Sequence, residues 1–140
     1  MMKLKVMLDP GAKMPTRAHA TDAGLDLYAM EAGSIRWGSS MEFDTGVHIE
    51  IPEGYVGMVK SKSGLMMHND IVTDGTVDSG YTGSIKVKLF NHSDFCYNVE
   101  KGQKIAQLVI LPIITPELEL VDALAETERG DKGFGSSGAF

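Results

Sequence analysis

The 140-residue chain is 43% hydrophobic and 23% charged, which suits one folded domain and excludes a disordered chain. No apolar run approaches the roughly 20 residues of a membrane helix, and a net charge of −6 excludes a general affinity for nucleic-acid phosphates. The single cysteine, Cys96, excludes an internal disulfide, and no His/Cys cluster has the spacing of a zinc site.

The beginning, Met1 to Pro10, meets Asp9 and Pro10 before a signal-peptide apolar region can develop, so a cytoplasmic location without a membrane partner is expected. Residues 4–8 and 25–29 are short apolar runs that predict strands. Between them, Thr21-Asp22-Ala23-Gly24-Leu25-Asp26-Leu27 sets two carboxylates four residues apart around a glycine. Turn and capping roles suit that pair, and so does holding Mg²⁺ or its waters. Residues 42–51 alternate at their end, and Ile51-Pro52-Glu53-Gly54-Tyr55 reads as a tight turn into 55–61, so the two runs predict a hairpin.

Ser61-Lys62-Ser63-Gly64-Leu65 combines hydroxyls, a lysine and a glycine that permits close backbone approach, the makings of an anion nest or of an ordinary loop. Residues 63–68 are one of two stretches with helical character. Residues 74–83, glycine-rich with Asp78 three positions before Tyr81, read as a hairpin. The free amides and carbonyls of its tip suit the edge of a base, and a solvent turn with Tyr81 packed locally suits the same residues. Residues 85–91 form the cleanest strand, with Ile85, Val87 and Leu89 on one face and Lys86 and Lys88 facing solvent. A further strand is expected at 104–111. The acidic stretch 117–128 is the second helical candidate, and its alternating part, 117–121, could instead add a strand to a neighbouring subunit.

Arg129 opens a tail in which Phe134, Ser136 and Ser137 stand among glycines. Such a segment cannot fold alone, but a cation, a stacking face and free backbone amides together suit a triphosphate joined to a flat base. The predicted class is all-β, with a body over 1–128 and a flexible arm over 129–140.

Five segments in order, Asp22-Ala23-Gly24-Leu25-Asp26-Leu27, Ser63-Gly64-Leu65, Gly75-Thr76-Val77-Asp78-Ser79-Gly80-Tyr81, Gly102-Gln103-Lys104-Ile105-Ala106-Gln107-Leu108 and the tail from Arg129, resemble the motifs of the deoxyuridine triphosphatases (dUTPases). Segments 81–85 and 89–94 look like the forms found in Gram-positive bacteria and their phages. The resemblance implies a distorted jelly-roll subunit in a homotrimer whose active sites are shared between chains, hydrolysing dUTP to dUMP and pyrophosphate with Mg²⁺. It implies that Asp78 activates the attacking water, that Tyr81 packs beneath the deoxyribose and that the backbone around Val77 holds uracil. It places Lys62, Ser63, Gly64 and Gln107 at the phosphates and Asp26 on Mg²⁺ through water. Arg129, Ser136 and Ser137 would reach the γ-phosphate, with Phe134 and Gly135 closing over the base.

The chain departs from the family pattern at Lys62, where many relatives carry arginine, and lysine lacks the planar fork of a guanidinium. Lys132 replaces a common glycine and Ser137 a frequent threonine, and residues 71–74 offer no familiar polar partner for the base. The deaminase branch of the same fold would need a glutamate in the hairpin region, and none lies between Asp74 and Ile85.

Overall fold

Apolar residues at every second position fix which face of a strand turns inward. In the computed structural model, which describes residues 2–140, the strand β9 (Lys86–Asn91) obeys this rule: Val87, Leu89 and Asn91 are buried while Lys86, Lys88 and Phe90 are exposed. The expected division of that strand into apolar and lysine faces is therefore observed.

The chain order is β1 (Lys5–Leu8), β2 (Gly24–Tyr28), β3 (Gly33–Ile35), β4 (Ser40–Asp44), β5 (Val47–Glu50), β6 (Tyr55–Ser61), α1 (Ser63–Asn69), β7 (Ile71–Val72), β8 (Asp74–Val77), β9, β10 (Tyr97–Val99) and β11 (Lys104–Pro112). All pairings are antiparallel, in a four-stranded sheet β2-β11-β6-β8, a three-stranded sheet β4-β9-β7 and two short pairs, β1-β5 and β10-β3. The result is a distorted jelly roll whose core is a single cluster that includes Leu27, Ile35, Ile71, Leu89, Ile105 and Leu108. Among the described residues no helix is long and apolar enough to cross a membrane.

Two hairpin expectations fail. The run 42–51 breaks at Thr45-Gly46, where the buried Thr45 hydroxyl donates to the carbonyl of Ile85 and Gly46 takes φ 64°. Its second half, β5, then pairs with β1 and not with β6, so Pro52 to Tyr55 is a turn between different sheets. Likewise β8 pairs only with β6, and residues 78–81 turn the chain toward β9 in the other sheet. The helical expectation at 63–68 is met by α1, whereas 117–128 is neither helix nor strand and lies exposed. Cys96 is exposed beside the short pair β10-β3.

Candidate active site

The first candidate cluster is built on β2, β11 and β6, three adjacent strands of the four-stranded sheet. Asp26 stands in β2 with its side chain 5% exposed, so its charge needs partners. Lys62 Nζ lies 2.5 Å from one carboxylate oxygen and Lys104 Nζ 2.9 Å from the other. Burial pushes the Asp26 pKa up, but the hydrogen bonds and charges of Lys62 and Lys104 outweigh burial and hold it below the ordinary carboxylate value. The same contact raises the pKa of Lys104.

Lys104 reaches Asp26 because of an irregularity that composition does not reveal. In β11, Lys104 pairs with Tyr28 and Ala106 with the adjacent Leu27, which leaves Ile105 as the extra residue of a bulge. In a regular strand, residues three apart point to opposite faces. The bulge puts Lys104 and Gln107 on the same face as Asp26, and both Ile105 and Ala106 are fully buried. Gln107 Nε2 donates to the Ser61 carbonyl at 2.9 Å, and its amide occupies the space a Cβ on Gly24 would need. Ser61 in turn ties the end of β6 to Thr73, donating to its carbonyl and accepting from its N–H at 2.9 Å. Lys62 therefore leaves a fixed strand end.

Asp22, Gly24, Asp26, Lys62 and Gln107 line one cleft of about 230 Å³. Asp22 is the turn residue that its sequence context allows: its carboxylate accepts from the His19 N–H at 2.9 Å, and this bond leads the causes that lower its pKa. Asp26 is instead a buried strand residue. Ser63 and Gly64 are exposed at the start of α1, where the first amides of a helix have no intrahelical acceptor.

A second cleft of about 250 Å³ is lined by Val59, Gly75, Thr76, Val77, Asp78, Tyr81, Ile85 and Lys86. Val77 is buried in its wall, while Asp78 and Tyr81 are exposed. The Tyr81 N–H closes the turn onto the Asp78 carbonyl at 3.2 Å, and the Tyr81 hydroxyl donates to the Ser84 carbonyl at 2.9 Å. Ser84 also donates to Asp44. Asp22, Asp26, Asp44 and Asp74 all spend a carboxylate oxygen on a protein donor, but Asp78 makes no side-chain hydrogen bond or ion pair among the described residues.

The two clefts share no residue, so one chain brings Asp26, Lys62 and Gln107 together and Asp78, Val77 and Tyr81 together, but not the two sets. The arm joins neither. Arg129 donates to the Lys132 carbonyl at 2.8 Å, turns close at 133–136 and 135–138, and Phe134, Gly135, Ser136 and Ser137 are exposed. Sequence reasoning missed Lys104 as a partner of Asp26. The bulge that aims it there leaves no mark on hydrophobic periodicity.

For a divalent cation, no group of three or more His, Cys, Asp or Glu is placed to form a cage of side chains among the described residues of the single chain. It fits an outer role. Each Asp26 oxygen keeps a lone pair beyond its lysine, and Mg²⁺ characteristically retains waters and binds substrate phosphates with only one or two carboxylates.

The dUTPase family pattern matches residues 11–138. The chain is 43% identical over 140 residues to the deoxyuridine 5'-triphosphate nucleotidohydrolase of Clostridium tetani, covering 98% of this chain and 96% of that one. It is 45% identical over 141 residues to the enzyme of that name in Gloeothece citriformis, covering 98% and 97%. Among solved structures, Staphylococcus bacteriophage 80alpha dUTPase with dUpNHpp superposes with a TM-score of 0.93 at 36% identity, over 99% of both chains. A mutant dUTPase from phage phi11 of S. aureus, whose structure reveals the coordination of a structural Mg(II) ion, matches 89% of this chain and 100% of its own at 31% identity and a TM-score of 0.83. The motif order, the sheet topology and near full-length identity agree: the chain belongs to the dUTPase family of nucleotide hydrolases.

Proposed function

We propose that the protein hydrolyses dUTP to dUMP and pyrophosphate by attack of a water molecule aimed by Asp78. The observation that carries this reading is the uncommitted Asp78 carboxylate, exposed at a cleft and three residues before Tyr81. Its oxygens are available to accept a hydrogen bond from water, so the carboxylate can orient the nucleophile and take its proton as the new phosphorus–oxygen bond forms. The linkage between the α- and β-phosphates breaks, and the electron pair leaves with pyrophosphate. No covalent enzyme intermediate is required.

Tyr81, fixed through its hydroxyl to Ser84, offers a ring on which the deoxyribose packs and against which a 2′-hydroxyl would clash. Val77 and the turn after it supply backbone groups for the uracil edge, and the closeness of that wall excludes the methyl of thymine. Lys62, Ser63, Gly64 and Gln107 hold phosphates, and Arg129, Ser136 and Ser137 reach the γ-phosphate from the arm while Phe134 and Gly135 cover the base. Asp26 holds Mg²⁺ through its waters. When bound, the ion would neutralise triphosphate charge and lower the repulsion against the incoming water. Lys104 keeps Asp26 ionised, and Lys62 is available to turn from Asp26 to a phosphate.

The separation of the two clefts supports a homotrimer in which each site takes residues from several chains, with the arm as a mobile closing element. A cytoplasmic enzyme of this kind limits uracil in DNA and supplies dUMP. Chromatography of products tests the reading: with Mg²⁺, dUTP yields dUMP and pyrophosphate while dTTP, dCTP and UTP are spared, and Asp78→Asn lowers kcat by about 10²- to 10⁴-fold with little change in binding. Equal use of UTP, or an Asp78→Asn enzyme of normal kcat, would overturn it.

A further inference from the structure

His48 lies on β5 opposite Met7 of β1, its side chain 17% exposed. Its Nδ1 is 2.7 Å from the carbonyl oxygen of Thr82, and its Nε2 is 2.9 Å from a carboxylate oxygen of Asp9. A carbonyl oxygen and a carboxylate oxygen are both acceptors. The two contacts are hydrogen bonds together only when both ring nitrogens carry protons, that is, in the imidazolium form. A neutral ring keeps one. The bond to the charged carboxylate is roughly twice as strong as one to a neutral carbonyl. The neutral tautomer therefore leaves its proton on Nε2 and turns the Nδ1 lone pair toward the Thr82 oxygen, where the contact becomes repulsive.

Thr82 directly follows Tyr81. Among the described residues, the side chains of the body that hydrogen-bond the segment 79–84 are His48 at Thr82 and Asp44 at Ser84. We infer that His48 is a proton-gated positioning residue of the nucleotide site: its imidazolium clamps the Tyr81-Thr82 segment against β5, and loss of one proton releases it. This rests on the role given to Tyr81 and Asp78 above.

The charged groups around the ring are Asp9 beyond β1, Asp44 at the end of β4, and Lys5 and Glu50, which pair across β1 and β5 at 3.0 Å and line the same cleft of about 210 Å³ as His48 and Thr82. The Thr82 carbonyl is the largest influence and raises the His48 pKa. Burial opposes it, the hydrogen bond and charge of Asp9 reinforce it, and Asp44 acts in the same direction. The clamp is thus closed at the ordinary histidine value of 6.5 and opens at a higher pH.

An NMR titration of the nucleotide-free protein, following the His48 ring nitrogens and the amides of Tyr81, Thr82 and Gly83, tests the clamp alongside the KM for dUTP over the same pH range. The loop amides are expected to move with the midpoint of the ring, and KM to rise about 2- to 10-fold through it, the worth of one hydrogen bond. Asp9→Asn should carry both midpoints to lower pH. His48→Gln keeps an amide donor for Thr82 but has no proton to lose, so its KM should be flat once the substrate's own ionisation is common to both proteins. Loop amides that ignore the ring, an unmoved midpoint in Asp9→Asn, or a wild-type KM profile in His48→Gln each overturn the clamp. If no dUTP is consumed at any pH, the functional assignment fails, and the coupling of ring and loop in the nucleotide-free protein still decides the clamp.

Discussion

Gly83 is glycine because Tyr81 lies across it. A Cβ at position 83 would sit 2.5 Å from the Tyr81 hydroxyl oxygen and 2.6 Å from the ring carbon that bears it. Tyr81, 48% exposed, has room to move outward, so Gly83→Ala should fold normally and displace the tyrosine from the lining of the Asp78 cleft. If Tyr81 excludes a 2′-hydroxyl, the variant should lose discrimination between dUTP and UTP, with the ratio of their kcat/KM values falling about 10- to 100-fold for a displacement near 1 Å. Parallel assays with the two nucleotides and a thermal melt measure both halves of the expectation. Unchanged discrimination would remove Tyr81 from the specificity role. Glycine here serves neither a turn nor flexibility; it leaves space for another side chain, and nothing in the local sequence distinguishes those uses.

At the scale of elements, β11 carries most of the site's architecture. It lies between β2 and β6, and its bulge at Ile105 delivers Lys104 and Gln107 to one face. The electrostatic consequence has a definite sign. A carboxylate whose folded pKa is depressed stabilises the fold fully above its unfolded value, and that contribution is lost as pH falls through the folded pKa. For Asp26 the window therefore begins near 3.8 and extends downward. Lys104→Gln removes one of its two cations, so Asp26 should titrate closer to 3.8. The variant should melt about 2–5 °C below the parent at neutral pH, a modest loss because Lys104 is half-exposed. The gap should close well below pH 3.8, where Asp26 is protonated in both proteins. Melting curves from pH 7 to 2 measure this, and a gap independent of pH would mean that Lys104 acts through packing and not through Asp26. Much of the sheet was legible in the sequence, since alternation in 85–91 names its buried face and the apolar runs locate most strands. Their partners were not legible. Pairing of β5 with β1, across some forty residues, depends on the break at Thr45-Gly46 and on the Thr45–Ile85 bond, which a reading of neighbouring residues turns into a hairpin. The Asp26 cluster was half legible for the same reason: Lys62 lies beside a recognisable motif, whereas Lys104 needs the bulge.

In the whole molecule, the apolar residues after β11, among them Ile114, Leu118, Leu120 and Leu124, are exposed in the single chain, and the proposed trimer would give them and the arm a place on other chains. One subunit presents the Asp26 cleft, the Asp78 cleft and the arm as three separate parts. A shared-site assembly makes a prediction that a self-contained subunit does not. Asp78→Asn chains should be inactive for want of the water-orienting carboxylate, and chains ending at Glu128 for want of the closing arm. If Asp78 and the arm at each site come from different chains, mixed trimers restore sites in which the truncated chain supplies Asp78 and the Asp78→Asn chain supplies the arm. Random assortment of equal amounts makes about a quarter of sites complete. Co-refolding the two inactive proteins, sizing the mixture and assaying dUTP hydrolysis measures this directly. Activity near a quarter of wild type in a trimer-sized peak is the expected result. A trimer with no recovered activity would place Asp78 and the arm at each site on one chain, and a wild-type protein that is fully active as a monomer would remove the need for sharing altogether. The complementation also separates the arm's role from the body's stability, because both parent proteins are expected to keep the jelly roll and differ from wild type only at Asp78 or in the arm.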